Sequence, residues 1–176
     1  MNYATVKEHD TANGKGVRVS LFVSGFTHHC KGCFNQEAWD FNYGQKYTTE
    51  VQERVLKACE NSYIKGLSLL GGEPFEKANQ KDLCALLKEF KSRFPNKDVW
   101  CYSGYLFDVD MVKGGKVYTE YTDDMLARID YLVDGEFIEE QKNLRLKFRG
   151  SANQRVIDVK ASLKEGKVII IKDEDL

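Results

Sequence analysis

The chain has 176 residues, 42% of them hydrophobic and 30% charged, with a formal net charge of −1. That length suits one domain, residues 1–176, with a core large enough to fold unaided, and a charge so near zero offers no single-sign field for a nucleic-acid backbone. The longest apolar run, "VIII" at 168–171, is far too short to cross a bilayer, and the opening "MNYATVKEHDTANGKG" has no basic head followed by an apolar stretch, so the expected location is the cytoplasm.

In chain order, "VRVSLFVS" at 17–24 alternates polar and apolar residues, is rich in β-branched side chains, and predicts a strand. The loop after it, "GFTHHCKGCFN", places Cys30 and Cys33 in a Cys-x-x-Cys pair with Gly25, Gly32, His28 and His29 as neighbours. Thr49 is expected to cap a helix beginning near Glu50, with Val51, Val55, Leu56 and Cys59 close to one face. "GLSLLGGEP" reads as a strand ending at a Gly-Gly turn. A second helix is expected over about 79–93, with Leu83, Leu86, Leu87 and Phe90 inward, stopping before Pro95. "DVWCYSGY" is a third strand, "TDDMLARI" a short helix and "DYLVDGEF" a fourth strand. "KVIII", after a turn at Glu165 and Gly166, is the last clear strand, and "VKGGK" at 112–116 a surface loop.

Strands alternating with helices favour parallel βα units with right-handed crossovers. Too few strands are visible to close an eight-stranded barrel, so the expected fold is α/β, a small incomplete TIM-like barrel. Functional loops then gather at the carboxyl ends of the strands: the cysteine loop, Gly71-Gly72-Glu73, and Ser103-Gly104-Tyr105. In a reducing compartment the five cysteines are free thiols or ligands rather than disulfide partners. Cys59, Cys84 and Cys101 sit in helix- or strand-like apolar patterns and read as small core residues. Cys30 and Cys33 are the ligand candidates. "HHCKGC" also has the ligand types for zinc, although a structural zinc site takes two separated pairs and no second pair is visible.

The run "GKGVRVSLFVSGFTHHCKGCFN", with "GGEP" at 71–74, "VWCYSGY", "LVDGEF" and "LKFRGSANQRVID", resembles the radical S-adenosylmethionine enzymes. Within them it is most similar to the glycyl-radical-enzyme activases that act on anaerobic ribonucleoside-triphosphate reductase. The resemblance covers about residues 13–158. It implies a Cys-x-x-x-Cys-x-x-Cys loop whose three thiolates hold a 4Fe–4S cluster, with the fourth iron left open for S-adenosylmethionine. One-electron reduction of the sulfonium then gives a 5′-deoxyadenosyl radical, which takes a hydrogen atom from a glycine of the partner reductase. The implied partners are that reductase's glycyl radical subunit and an electron donor such as flavodoxin or ferredoxin, with no nucleic acid and no membrane.

Carried over by residue, the resemblance makes Cys30 and Cys33 the second and third iron ligands. Phe26 occupies the first position and offers iron no lone pair, so the cluster is expected to be under-ligated and the activity impaired. Gly32, Cys33 and Phe34 are implied near the adenine, and Gly72 and Glu73 at the methionyl ammonium. Ser103 and Tyr105 are read as nucleotide contacts or as a strand-end turn. Arg18 is read as support for the cluster loop or as half of a surface ion pair. The segment "FRGSANQR" at 148–155 is read as a partner contact or as a polar loop. His28 or His29 as substitute ligands would break the three-residue spacing. Three readings stay open: the activase itself, a silent relative that binds the reductase or nucleoside, and another small radical enzyme such as a carboxy-deazaguanine synthase.

Overall fold

The computed structural model describes residues 1–27, 31 and 36–176. Its centre is a sheet of seven strands: β1 (Asn2–Asp10), β2 (Val17–Val23), β3 (Gln45–Lys46), β4 (Ile64–Gly71), β5 (Asp98–Tyr102), β6 (Tyr131–Asp134) and β7 (Arg155–Asp158). The spatial order is β3-β1-β2-β4-β5-β6-β7. β2, β4, β5 and β6 run parallel, as the alternating pattern predicts. The flanking pairs β1–β2, β1–β3 and β6–β7 are antiparallel, so parallel βα units account for the middle of the sheet only.

Among the described residues four α-helices accompany it: α1 (Thr49–Ala58), α2 (Lys77–Arg93), α3 (Thr122–Leu126) and α4 (Val159–Glu165). α1 is capped by Thr48, whose side chain accepts from Val51 N, so the expected cap at Thr49 is corrected by one residue. α2 begins at Lys77 and ends at Arg93, two residues before Pro95, burying Leu83, Leu86, Leu87 and Phe90 as its spacing predicts. α4 is closed by Asp158 accepting from Ala161 N, and by Gly166 in the left-handed region.

One sheet face carries Val19, Leu21, Val23, Leu67, Leu69, Val99, Cys101 and Leu132, and packs with Val55, Leu56, Leu83, Leu87, Phe90 and Met125 of the helices into the main core. The period-two geometry of strands sends the alternate residues to the other face, where Trp100, Val133 and Val156 form a smaller cluster with Phe148, Ile171 and Leu176. Cys59, Cys84 and Cys101 are buried free thiols, as expected.

Two expectations are corrected. "KVIII" is no strand: it lies beside β7, where Ile170 makes one isolated bridge to Ile157 and remains 55% exposed. The last strand is "RVID" instead. Arg18 makes no surface ion pair, and among the described residues its hydrogen bonds go to Ser68, Lys15, Leu67 and Asp98, at the opposite end of β2 from the cysteine loop. It is wholly buried at the amino ends of the parallel strands, 2.6 Å from Asp98. Among the described residues, no helix is long and apolar enough to cross a membrane.

Candidate functional site

The carboxyl ends of β2, β4 and β5 meet, and hydrogen bonds tie their three loops together. β2 leaves the sheet through Ser24, Gly25 and Phe26. Gly25 N donates to Ala38 O at 2.6 Å and Phe26 N to Trp39 O at 3.1 Å, so a short 3₁₀ turn at Gln36–Trp39 backs this stem. β4 ends at Gly71, whose φ of 109° suits glycine, and Gly72 N donates to Val23 O at 2.7 Å. A Cβ on Gly72 would lie 2.6 Å from Gly25 O and 2.8 Å from Ala38 O. Only glycine lets the two loops approach this closely.

Glu73 is the hub. Its side chain is fully buried, and its Oε1 accepts from Phe75 N and Ser103 Oγ, both at 2.8 Å. Oε2 accepts from Gly104 N at 2.7 Å. Burial pushes its pKa up to about 8, the three donors pull the other way, and the nearby charge of Glu76 adds to the rise. Glu76, also buried, accepts on Oε1 from Thr27 N, Thr27 Oγ1 and Tyr105 OH. Asn79 Nδ2 donates to Ser24 O at 3.0 Å and Glu73 O at 2.9 Å, joining the β2 and β4 loops from beneath.

Phe26 is buried, 7% exposed, with its ring against Gly104: a Cβ there would stand 3.1 Å from Phe26 Cζ. The position read as the first iron ligand therefore holds an apolar side chain packed into the third loop. His28, His29, Cys30, Gly32, Cys33 and Phe34 lie outside the described residues.

The other cysteines are poor ligands. Burial pushes the Cys59 thiol up to about 12 and Cys101 well above its usual range, with the charge of Glu73 adding to the latter. A thiol kept protonated in the core does not bind metal. Among the described residues no group of three or more His, Cys, Asp or Glu side chains forms a metal site.

Ser103 and Tyr105 sit at the strand-end turn, as one of their readings has it, and their hydroxyls serve the acids rather than lying free. The segment 148–155 folds back on the chain. Arg149 donates to Ala152 O and Gln154 O, Gln154 braces Gly135, and Arg155 pairs with Asp134 and Asp108. Glu76, Asn79 and Thr27 escaped the sequence reading. An Asn one turn into a helix, and a Glu at its start, look like surface residues until the loop they grip is known.

A family model described as a 4Fe-4S single cluster domain matches residues 12–157. Three similar curated proteins all bear the name anaerobic ribonucleoside-triphosphate reductase-activating protein. That of Vibrio cholerae is 41% identical, covering 88% of this chain and 96% of its own length. That of Enterobacteria phage T4 is 37% identical, over 89% and 93%. That of Escherichia coli K12 is 35% identical, over 89% and 97%.

Proposed function

The chain belongs to the family of anaerobic ribonucleoside-triphosphate reductase-activating proteins, and on that premise we propose that it installs a glycyl radical on such a reductase. The chemistry is reductive cleavage of S-adenosylmethionine at a 4Fe–4S cluster carried by the loop after β2. The setting is the cytoplasm, and the electron comes from a flavodoxin or ferredoxin. The seven-stranded sheet is taken as an incomplete barrel forming one domain over residues 1–176. Its open edge admits the glycine-bearing loop of the partner.

The residues present fit the cluster in part. Cys30 and Cys33 supply soft thiolates suited to iron, whereas Phe26 has no donor atom and its ring is engaged with Gly104. The chain is thus one protein thiolate short, and its cluster is held weakly. A cluster held there would supply the single electron that cleaves the sulfonium C–S bond of S-adenosylmethionine, with methionine as the leaving group, and the 5′-deoxyadenosyl radical so formed would take a hydrogen atom from a glycine of the reductase.

The chain's own residues place the nucleotide. Gly72 keeps the backbone close, and Glu73 meets the methionyl ammonium. Its Oε2 has one described donor, Gly104 N, and so keeps acceptor capacity. A cation arriving beside this buried acid lowers its pKa from about 8, so the negative charge forms as the ligand binds. Gly32, Cys33 and Phe34 take the adenine edge. The observation carrying this reading is the convergence of the β2, β4 and β5 loops on Glu73, which brings the stem of the cysteine loop to the Gly-Gly-Glu turn.

One observation, Phe26, favours a second reading: a silent relative that binds the reductase without chemistry. Anaerobic reconstitution with iron and sulfide, applied to the parent and to Phe26→Cys, separates the two. Loss of even an outer partner of a metal ligand costs about 10–100-fold in affinity, so iron retention and 5′-deoxyadenosine yield should both rise at least about tenfold in the variant. Equal values in the two proteins would overturn the ligand argument. A restored cluster without nucleotide cleavage would favour the silent relative.

A further inference from the structure

The loop bearing Cys30 and Cys33 leaves β2 through Thr27, an exposed residue that burial does not hold in place. Hydrogen bonds hold it instead. Glu76 Oε1 accepts from Thr27 N at 3.0 Å, from Thr27 Oγ1 at 2.7 Å and from Tyr105 OH at 2.9 Å. The two hydroxyls lie 2.8 Å apart. Tyr105 is itself 5% exposed and belongs to the β5 loop, so the grip is anchored in the core.

Glu76 occupies the N-cap position of α2, where a side chain ordinarily accepts from its own helix. It makes no such bond. Its carboxylate reaches across to the β2 stem and leaves the helix uncapped. Asn79, one turn on, holds Ser24, three residues before Thr27, through its carbonyl. The first turn of α2 therefore grips the stem on both sides of the buried Phe26.

We infer that Glu76 is a positioning residue that fixes, through Thr27, the stem from which the Cys30–Cys33 pair reaches metal. The grip on Thr27 is in place without metal. The inference rests on the function proposed above for its purpose, but the geometry of the grip stands without it. Bonds from a carboxylate are stronger than neutral ones and hold where a hydroxyl alone would yield to water.

The test is cadmium binding by the full-length, reduced, metal-free chain, read from thiolate–cadmium absorbance as the difference from a Cys33→Ser control. Glu76→Ala should weaken binding about tenfold, because the stem must then be ordered at the expense of metal affinity. Glu76→Gln keeps an acceptor oxygen and should stay within about threefold of the parent. Should Glu76→Ala fail to fold, Thr27→Val removes the hydroxyl's bonds to Glu76 and Tyr105 while keeping that of Thr27 N, and should weaken binding by an intermediate factor. Unchanged cadmium affinity in a folded Glu76→Ala or Thr27→Val protein would overturn the inference, as would Glu76→Gln falling as far as Glu76→Ala. The assay needs neither nucleotide nor reductase, so the grip can fail while the activase reading survives, and the reverse.

Discussion

The parallel strands β2, β4 and β5 are stitched by buried polar side chains at both ends, and the two ends balance charge in opposite ways. At the amino ends Arg18 donates to Ser68 Oγ, Leu67 O, Lys15 O and Asp98 O, and its ion partner is the Asp98 carboxylate. Positive meets negative, and nearly every guanidinium donor is used. At the carboxyl ends two buried acids, Glu73 and Glu76, hold the same three strands, and every described hydrogen-bond partner is neutral. Uncompensated acid is costly to bury, and the raised pKa of Glu73 records that cost. A buried acid with a shifted pKa marks a candidate functional site, whereas the Arg18–Asp98 pair neutralises itself.

The contrast is broken most forcefully at Arg18. Removing one partner of a buried ion pair costs about 3–5 kcal/mol, and Arg18→Met should fall near the lower figure because Asp98 is 20% exposed and can turn to water. Urea unfolding measures it. A loss below about 1 kcal/mol, the value of an ordinary surface pair, would erase the distinction between the two ends.

An effect that is smaller per unit of pH tests the charge state of the other end. The folded pKa of Glu73 lies near 8, above its usual 4.5. Its contribution to stability is therefore fully present below pH 4.5 and is lost as pH rises through about 8. Relative to Glu73→Gln, the parent should lose up to about 1.4 kcal/mol per pH unit across that window. Groups common to both proteins cancel in the difference. Parallel stability curves would mean that the acid is already ionised at neutral pH and that its three donors outweigh burial.

Much of this architecture was legible in the sequence. The central strands, the buried faces of α1 and α2, and the meeting of three strand-end loops follow from apolar periodicity and from the rule that parallel strands share an active edge. Three features were hidden, each for a physical reason. β1 buries Tyr3, Val6 and Asp10 and leaves Glu8 and His9 outside, so its hydrophobic signal is weak and pairing with β2 decides it. "KVIII" has a stronger apolar signal than "RVID", but Gly166 turns the chain so that only one bridge to β7 forms, and Asp134–Arg155 pairing secures β7 instead. Arg18 reads as polar and external because sequence pattern cannot show that Asp98, eighty residues on, supplies its counter-charge.

The finest distinction between the ends lies in two glycines. A Cβ on Gly66, at the amino end, would collide with the backbone carbonyl of Asp98, and no side-chain exchange relieves that. A Cβ on Gly104, at the carboxyl end, would meet the Phe26 ring at 3.1 and 3.2 Å and Glu73 Oε2 at 3.5 Å. Its principal obstacle is the Phe26 ring, a side chain that can itself be exchanged. Gly104→Ala should therefore cost about 1 kcal/mol in the parent, as modest overpacking does, and close to nothing once Phe26→Cys has removed the ring. Thermal unfolding of the four proteins of this cycle gives the coupling directly. A coupling of about 1 kcal/mol identifies Phe26 as the plug of the third loop; additive effects would mean that the ring yields freely and that residue 104 is glycine for the sake of Glu73 alone.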